Sequence, residues 1–342
     1  MEDVLQLPEI VVDFETEESL KQGAVKVVQR VKPDWPQNEL KFKIFTDGIS
    51  NKLIGVYVGE RKNDMVLVRV YGAKTELFID RASEIRNMLV LAKAGCGCRL
   101  YAKFANGLAY EYIPGDILTI ETAKSKDVYP RVAAAMAKMH KDVDLGPEVH
   151  KEPCMWKKLR MFLDYSDPEA INDPRLADMP KERLLKEVAH LESQLKGCQS
   201  QIVFTHNDLL LANIVVHPES GKVSFIDYEY GDYNYHECDV ANHFDEMAGV
   251  EDMDFIKHYP SREFQLEWIR CYLMTFLDSP PSEERVLEFY ANVNKFSLCF
   301  HMMWGLWGLV QAKFSQIDFD FVAFALSRLN EYFRVRDERL AS

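Results

Sequence analysis

Positive charge is scarce in this chain: 41 lysines and arginines stand against 54 aspartates and glutamates, a formal net charge of −13. Non-specific binding to nucleic acid or to an anionic membrane needs a basic surface, so neither partner is expected. No apolar run reaches the roughly 20 residues that span a bilayer. The most apolar, Phe296 to Ala312, carries His301 and Gln311 and reads as a buried core helix. The seven cysteines are odd in number and scattered, which points to a reducing compartment. Only Cys96 and Cys98 lie close together, and without a second Cys/His pair at zinc spacing they make no metal site. The acidic N-terminus lacks the basic and apolar segments of a signal peptide, so a cytoplasmic protein is expected. Internal repeats and low-complexity tracts are absent.

What remains is a soluble globular composition, 47% hydrophobic and 28% charged, long enough for one large domain or two lobes. Residues 1 to 18 read as a poorly ordered acidic lead. Ser19 to Val31 places apolar residues at helical spacing and stops before Pro33. Three β-branched and aromatic runs follow, ELKFKIF, KLIGVYVG and MVLVRVYG, as an antiparallel meander. A helix is expected from Phe78 to Ala94, and the Pro-Gly break at the end of GLAYEYIPG marks a hinge near residue 113. Beyond it come helices over Asp127 to His140, Trp156 to Leu163 and Lys181 to Leu195. Further helices are expected over Val240 to Met247, Phe264 to Phe276, Glu283 to Asn294, Phe296 to Phe314 and Phe319 to Phe333. His140 ends its helix, where a cation meets the helix dipole favourably, so a structural role is expected. Helices that follow a sheet, rather than alternate with strands, indicate an α+β fold with residues 19–113 and 114–342 as lobes.

The stretch from Val203 to Asp239 carries the chemistry. It reads as strand, polar loop, strand, turn, strand, polar loop, with His206, Asp208 and Asn213 in the first loop and Asp227 and Glu229 in the second. Phosphoryl transfer needs little more than positioning and charge neutralisation. Asp208 can orient an attacking hydroxyl and take its proton. Asn213 and Asp227 can supply oxygens to Mg²⁺, which prefers hard ligands and keeps waters. Taken singly each aspartate reads as an ordinary strand-end residue; the order and spacing favour a site. Arg69 sits inside an apolar strand, where a charge is costly unless paired. Glu84 is the expected partner and Glu76 an alternative, while an edge position facing solvent would also accommodate it.

HxDxxxxN followed by IDYEYGDYNYHECDVANHF resembles the choline/ethanolamine kinase family, from about Phe45 to about Phe333. HNDLL, NHFDEMAGV and WGLWGLVQAKFS lean to the ethanolamine branch, as do Leu210, where choline kinases carry Gln, and Phe324, where they tend to carry Tyr. The resemblance implies a protein-kinase-like bilobal fold with a small β-rich N-terminal lobe and a large mainly helical C-terminal lobe. It implies ATP- and Mg²⁺-dependent phosphorylation of ethanolamine, leading to phosphatidylethanolamine. The turn at Asp47, Gly48, Ile49, Ser50 and Asn51 reads locally as a plain hairpin, far from a Walker loop. By resemblance it becomes a phosphate-binding loop, Arg69 a phosphate ligand, and the backbone of Glu111 and Ile113 the adenine contact. Tyr230, Glu246, Trp304 and Trp307 match the acceptor pocket, with Phe319 and Phe324 as further walls and Asp245 or Asp232 as other acceptors for the ammonium. Aromatic pairs at helical spacing are more often core than cage. His206, Glu229 and Asp239 are expected to support the loops. A choline or dual-specificity kinase, and an inactive amine- or nucleotide-binding protein on the same scaffold, are the alternatives. The oligomeric state stays open, a homodimer being one option.

Overall fold

The computed structural model describes residues 4–45, 51–72, 80–250, 253–315 and 317–341. The chain divides into two compact units, one formed by Met1–Asp116, Val215–Ser220 and Ser224–Glu229, the other by Ile117–Ile214, Gly221–Val223 and Tyr230–Ser342.

The first unit is built on a six-stranded sheet. Its strands are β1 (Leu5–Leu7), β2 (Leu40–Phe45), β3 (Asn51–Val58), β4 (Val66–Tyr71), β5 (Leu100–Phe104) and β6 (Gly107–Glu111), in the order β1-β5-β6-β4-β3-β2. β2, β3 and β4 form the expected meander, with Phe42 opposite Val56 and Ile54 opposite Val68. Helix α1 (Glu17–Val31) starts at a capping box in which Thr16 and Ser19 exchange hydrogen bonds. It lays Leu20, Ala24, Val27 and Val28 on one sheet face, against Ile54, Val56, Val66, Val68 and Val70. The acidic lead departs from expectation: Leu5–Leu7 pairs in parallel with β5, and Leu7 and Val12 enter that core. The Asn106 side chain satisfies both backbone groups of Val12, at 3.0 and 2.9 Å. A free sheet edge and two apolar residues outweigh the local acidity. On the other face, α2 (Arg81–Lys93) begins at the Asp80 cap and packs Met88 against Leu100 and Leu108.

Three short strands, β7 (Asp116–Ile117), β9 (Ile214–Val216) and β10 (Val223–Phe225), are divided between the two units. The second unit contains the antiparallel pair β8 (Ile202–Thr205) and β11 (Asp232–Tyr235), with Thr205 opposite Asp232. Around it run α3 (Ile120–Ala123), α4 (Tyr129–Asp142), α5 (Met155–Tyr165), α6 (Pro168–Ile171) and α7 (Lys181–Leu195). They are followed by α8 (His236–Glu246), α9 (Phe255–His258), α10 (Arg262–Leu277), α11 (Glu283–Phe314) and α12 (Phe321–Ala341). Two expected helices are one: α11 runs unbroken for 32 residues, because Asn294, Lys295 and Phe296 contain no helix breaker. Gly305 and Gly308 let α12 approach α11 closely; a Cβ on Gly308 would stand 3.0 Å from both Ala325 and Phe324. Glycine is unfavourable inside a helix, and here it is what admits the neighbouring helix. Among the described residues no helix is long and apolar enough to cross a membrane, and all seven cysteines are free.

Candidate active site

Alternation along β4 settles where Arg69 points. Val66, Val68 and Val70 face α1, so Arg69 faces away from that core, where α2 presents Glu84 in its first turn. The Arg69 and Glu84 side chains form an ion pair, 7% and 2% exposed. Glu84 is also 3.0 Å from Arg81, and the second Arg69 nitrogen lies 3.2 Å from Asp227. Burial opposes the Arg69 charge, but Tyr110, Glu84, Asp227 and Glu229 together push its pKa well above the ordinary value. Asp227 adopts a left-handed backbone, φ 65°, and its carboxylate is 41% exposed. Among the described residues Asp227 makes one ion pair, which leaves carboxylate lone pairs for a cation. Burial, with the Asp227 charge second, pushes Glu229 up to about 8 against the pull of Arg69. Asp47, Gly48, Ile49, Ser50 and Glu76 lie outside the described residues, as does the side chain of Asn51, which opens β3.

At the expected hinge, two successive backbone donors are committed within the protein. The Glu111 N–H donates to the Arg99 carbonyl at 2.9 Å, and the next N–H, of Tyr112, donates to Met65 at 3.1 Å. Sheet pairing takes both donors. The expected adenine contact at Glu111 therefore falls to its carbonyl rather than its N–H.

In the second unit the loop after β8 is held from beneath. Asp239, fully buried in the first turn of α8, accepts the backbone N–H of His206 at 2.7 Å and of Asn207 at 2.8 Å. It also meets His140 at 2.9 Å, and the other His140 nitrogen meets the Tyr272 hydroxyl at 2.8 Å. Burial lowers the His140 pKa despite Asp239, which leaves the ring neutral. His140 is thus structural through this bond to Asp239. Asn207 is left-handed, φ 63°, with its amide donating to the Tyr230 carbonyl at 3.1 Å and its oxygen accepting from Asn234 at 2.8 Å. Asp208 is 7% exposed, and Asn213 closes the loop by donating to the Asp208 carbonyl at 2.9 Å. With its nitrogen committed, the Asn213 amide has its oxygen left for a metal.

The aromatic residues do assemble. Trp307 donates its indole N–H to the Tyr230 hydroxyl at 3.1 Å, and Trp304 stands edge-on to Tyr230 at 5.3 Å and to Trp307 at 5.7 Å. Phe321 and Phe324 flank Trp307 at 5.9 and 5.7 Å, and Phe319 lies 6.1 Å from Phe324. Glu246, read from sequence as a carboxylate for the ammonium, is bound by one nitrogen of Arg328 at 2.8 and 2.9 Å, both side chains 1% exposed. Its charge is already balanced. Asp245 is buried beside His301 at 3.3 Å and Arg339 at 4.0 Å, and burial raises its pKa well above the ordinary range. Helix α8 is buried along its whole length, so a carboxylate on it needs internal cations, and Arg328 and Arg339 from α12 supply them.

Residues 42–333 match the family model for choline/ethanolamine kinase. The chain belongs to this family. It is 42% identical over 317 residues to ethanolamine kinase 2 of Rattus norvegicus, covering 92% of this chain and 81% of the relative. Against ethanolamine kinase 1 of Homo sapiens it is 39% identical over 340 residues, covering 96% and 75%. Among solved structures it resembles the Plasmodium vivax ethanolamine kinase, with a TM-score of 0.82, 27% identity and 94% and 90% coverage. A choline kinase from Cryptosporidium parvum, at 24% identity with a TM-score of 0.79 over 93% and 96%, shares the fold. The α+β protein-kinase-like fold implied by the sequence holds. Several residues around the family's motifs had no local signal. Asn242, which accepts the Leu209 N–H and donates to Glu246 at 3.3 Å, ties the loop to α8. Arg328, Phe321 and Lys158 reach the aromatic cluster from helices that sequence spacing assigns only to the core.

Proposed function

We propose that the chain transfers the terminal phosphoryl group of ATP to the hydroxyl of ethanolamine, giving phosphoethanolamine for phosphatidylethanolamine synthesis. The observation that carries it is the Asp208–Asn213 loop, locked by Asp239 in the same unit as the buried Tyr230–Trp304–Trp307 wall. Similarity to named ethanolamine kinases supplies the acceptor. In this reading Asp208 aligns the acceptor hydroxyl and takes its proton, a positioned base contributing about 10² to 10⁴ in rate. By the family resemblance, Asn213 and Asp227 are the residues that would each offer an oxygen to Mg²⁺, whose charge would offset that of the phosphates. Arg69 meets phosphate oxygens, with Glu84 holding the guanidinium in place. Residues 47–51, by resemblance a phosphate-binding loop, would add backbone N–H groups. Asp227 fits the metal because its carboxylate is partly exposed and, among the described residues, its ion pair with Arg69 leaves oxygen lone pairs open. His206 and Glu229 support the two loops. Ethanolamine leans its ammonium on the aromatic wall, and Glu246 acts through its neutral pair with Arg328.

A coupled assay of ADP release with Mg²⁺, comparing ethanolamine, choline and no acceptor, tests this. Turnover with ethanolamine above choline supports it, and comparable rates give a dual-specificity kinase. Nucleotide binding without turnover on either amine leaves a kinase-like binding protein.

A further inference from the structure

The face of Tyr230 is already taken by a cation. Lys158, half-buried on α5, holds its ammonium over the Tyr230 ring, 5.0 Å from the centroid. The same ammonium donates to the Tyr230 carbonyl at 2.9 Å, the carbonyl that also accepts from Asn207 at 3.1 Å. Two contacts of one ammonium, both to Tyr230, therefore hold this half-buried lysine in place. The Tyr230 hydroxyl is committed as well, to Trp307, and Trp304 stands nearly perpendicular to the ring with centroids 5.3 Å apart.

We propose that Lys158 is a specificity-determining residue of the acceptor pocket, selecting a primary ammonium over an N-methylated one. The inference rests on the amino-alcohol kinase reading above. A quaternary ammonium has no N–H and depends on aromatic faces for its binding energy. With Lys158 over Tyr230, one of those faces is spent on an internal cation and the space above it is filled. A primary ammonium suffers the same like-charge repulsion, but it brings three donors of its own and can offset the repulsion by hydrogen bonding. It is also smaller by three methyl groups. Lys158 thus penalises each added methyl, through lost aromatic contact and through volume, while leaving Trp304 and Trp307 to the substrate.

The test is the kcat/KM series for ethanolamine, N-methylethanolamine, N,N-dimethylethanolamine and choline, in the wild-type chain and in Lys158→Met and Lys158→Arg. Methionine keeps the length of the stem but removes the charge and the hydrogen bond; arginine keeps the charge. The choline-to-ethanolamine ratio is expected to rise roughly tenfold in Lys158→Met, the size of one cation–aromatic contact. The rise should be graded with the number of methyls, and Lys158→Arg should keep the wild-type ratio. An unchanged ratio in Lys158→Met overturns the inference, and so does an equal loss on all four amines, which a merely structural lysine would give. If Lys158→Met does not fold, Lys158→Gln carries the same comparison. Absence of turnover on every amine by the wild-type chain sinks the kinase reading instead, and is seen before any variant is compared.

Discussion

Asp239 holds Asn207 in its left-handed conformation, accepting the backbone N–H at 2.8 Å from the first turn of a helix with no exposed face. A buried hydrogen bond to a charged group contributes about 1.5–3 kcal/mol, and Asp239 makes one to the His206 N–H as well. Asp239→Asn keeps the size but loses an acceptor. A destabilisation of about 3 kcal/mol is expected in urea unfolding. Because the loop carries Asp208, kcat should fall on the order of 100-fold with little change in the KM for ATP. A kcat equal to wild type would show that the loop keeps its shape without this carboxylate.

Asp208 itself should separate turnover from stability. Its backbone carbonyl, which accepts from Asn213, survives in Asp208→Asn. Turnover is expected to drop by about 10² to 10⁴ while the melting temperature and nucleotide affinity hold. Wild-type turnover in this variant would remove Asp208 from the mechanism.

Arg69→Met should cost more than a lost phosphate contact. Glu84 would remain 2% exposed with Arg81 as its cation, and breaking a buried pair from one side costs about 3–5 kcal/mol. Arg69→Lys keeps the charge without the two-pronged geometry, and is expected to raise the KM for ATP about tenfold while retaining the fold. Isothermal titration with a non-hydrolysable nucleotide checks this, and equal affinity would place the phosphate elsewhere.

The Glu246–Arg328 pair calls for a double-mutant cycle. Arg328→Met alone should destabilise by about 3–5 kcal/mol, and Glu246→Leu with Arg328→Met should recover most of it. If the recovered double variant still phosphorylates ethanolamine with unchanged KM, Glu246 is architectural only. A raised KM for ethanolamine, with ATP unaffected, would show that the paired carboxylate still reaches the substrate.

Acid sensitivity follows from the buried histidines. Burial lowers His140, His243 and His301, His243 to about 4. Their unfolded forms take up protons near pH 6.5 while the folded forms do not, so this contribution is intact above about 6.5 and is lost as pH falls towards 4. Asp245 and Glu246 are raised by burial and act in the opposite sense, so a difference measurement isolates one group. His243 has no hydrogen-bond partner among the described residues and packs on Trp268 at 5.6 Å. His243→Phe should gain about 2 kcal/mol relative to wild type on going from pH 7 to 5 in urea unfolding. Parallel pH profiles for the two proteins would contradict a neutral buried His243.

Local pattern and family motif made much of this protein legible in its sequence. The β2–β4 meander follows from alternation, α7 from apolar spacing, and the Asp208–Asn213 loop from polar residues set between short apolar strands. Arg69 announced its need for an anion because a charge inside an apolar strand must be paired, and Glu84 was within reach of that argument. What the sequence could not convey was which groups were already spoken for. The acidic start of the chain says nothing of the open edge of β5 that captures Leu5–Leu7. Glu246 reads as a free carboxylate until Arg328, 82 residues away, is folded against it. Lys158 reads as a solvated helix residue until Tyr230 is brought beneath it. Periodicity is a property of neighbours along the chain, so it determines the elements and their faces. Charge compensation and occupancy of a binding face are properties of neighbours in space, and only the tertiary structure decides them.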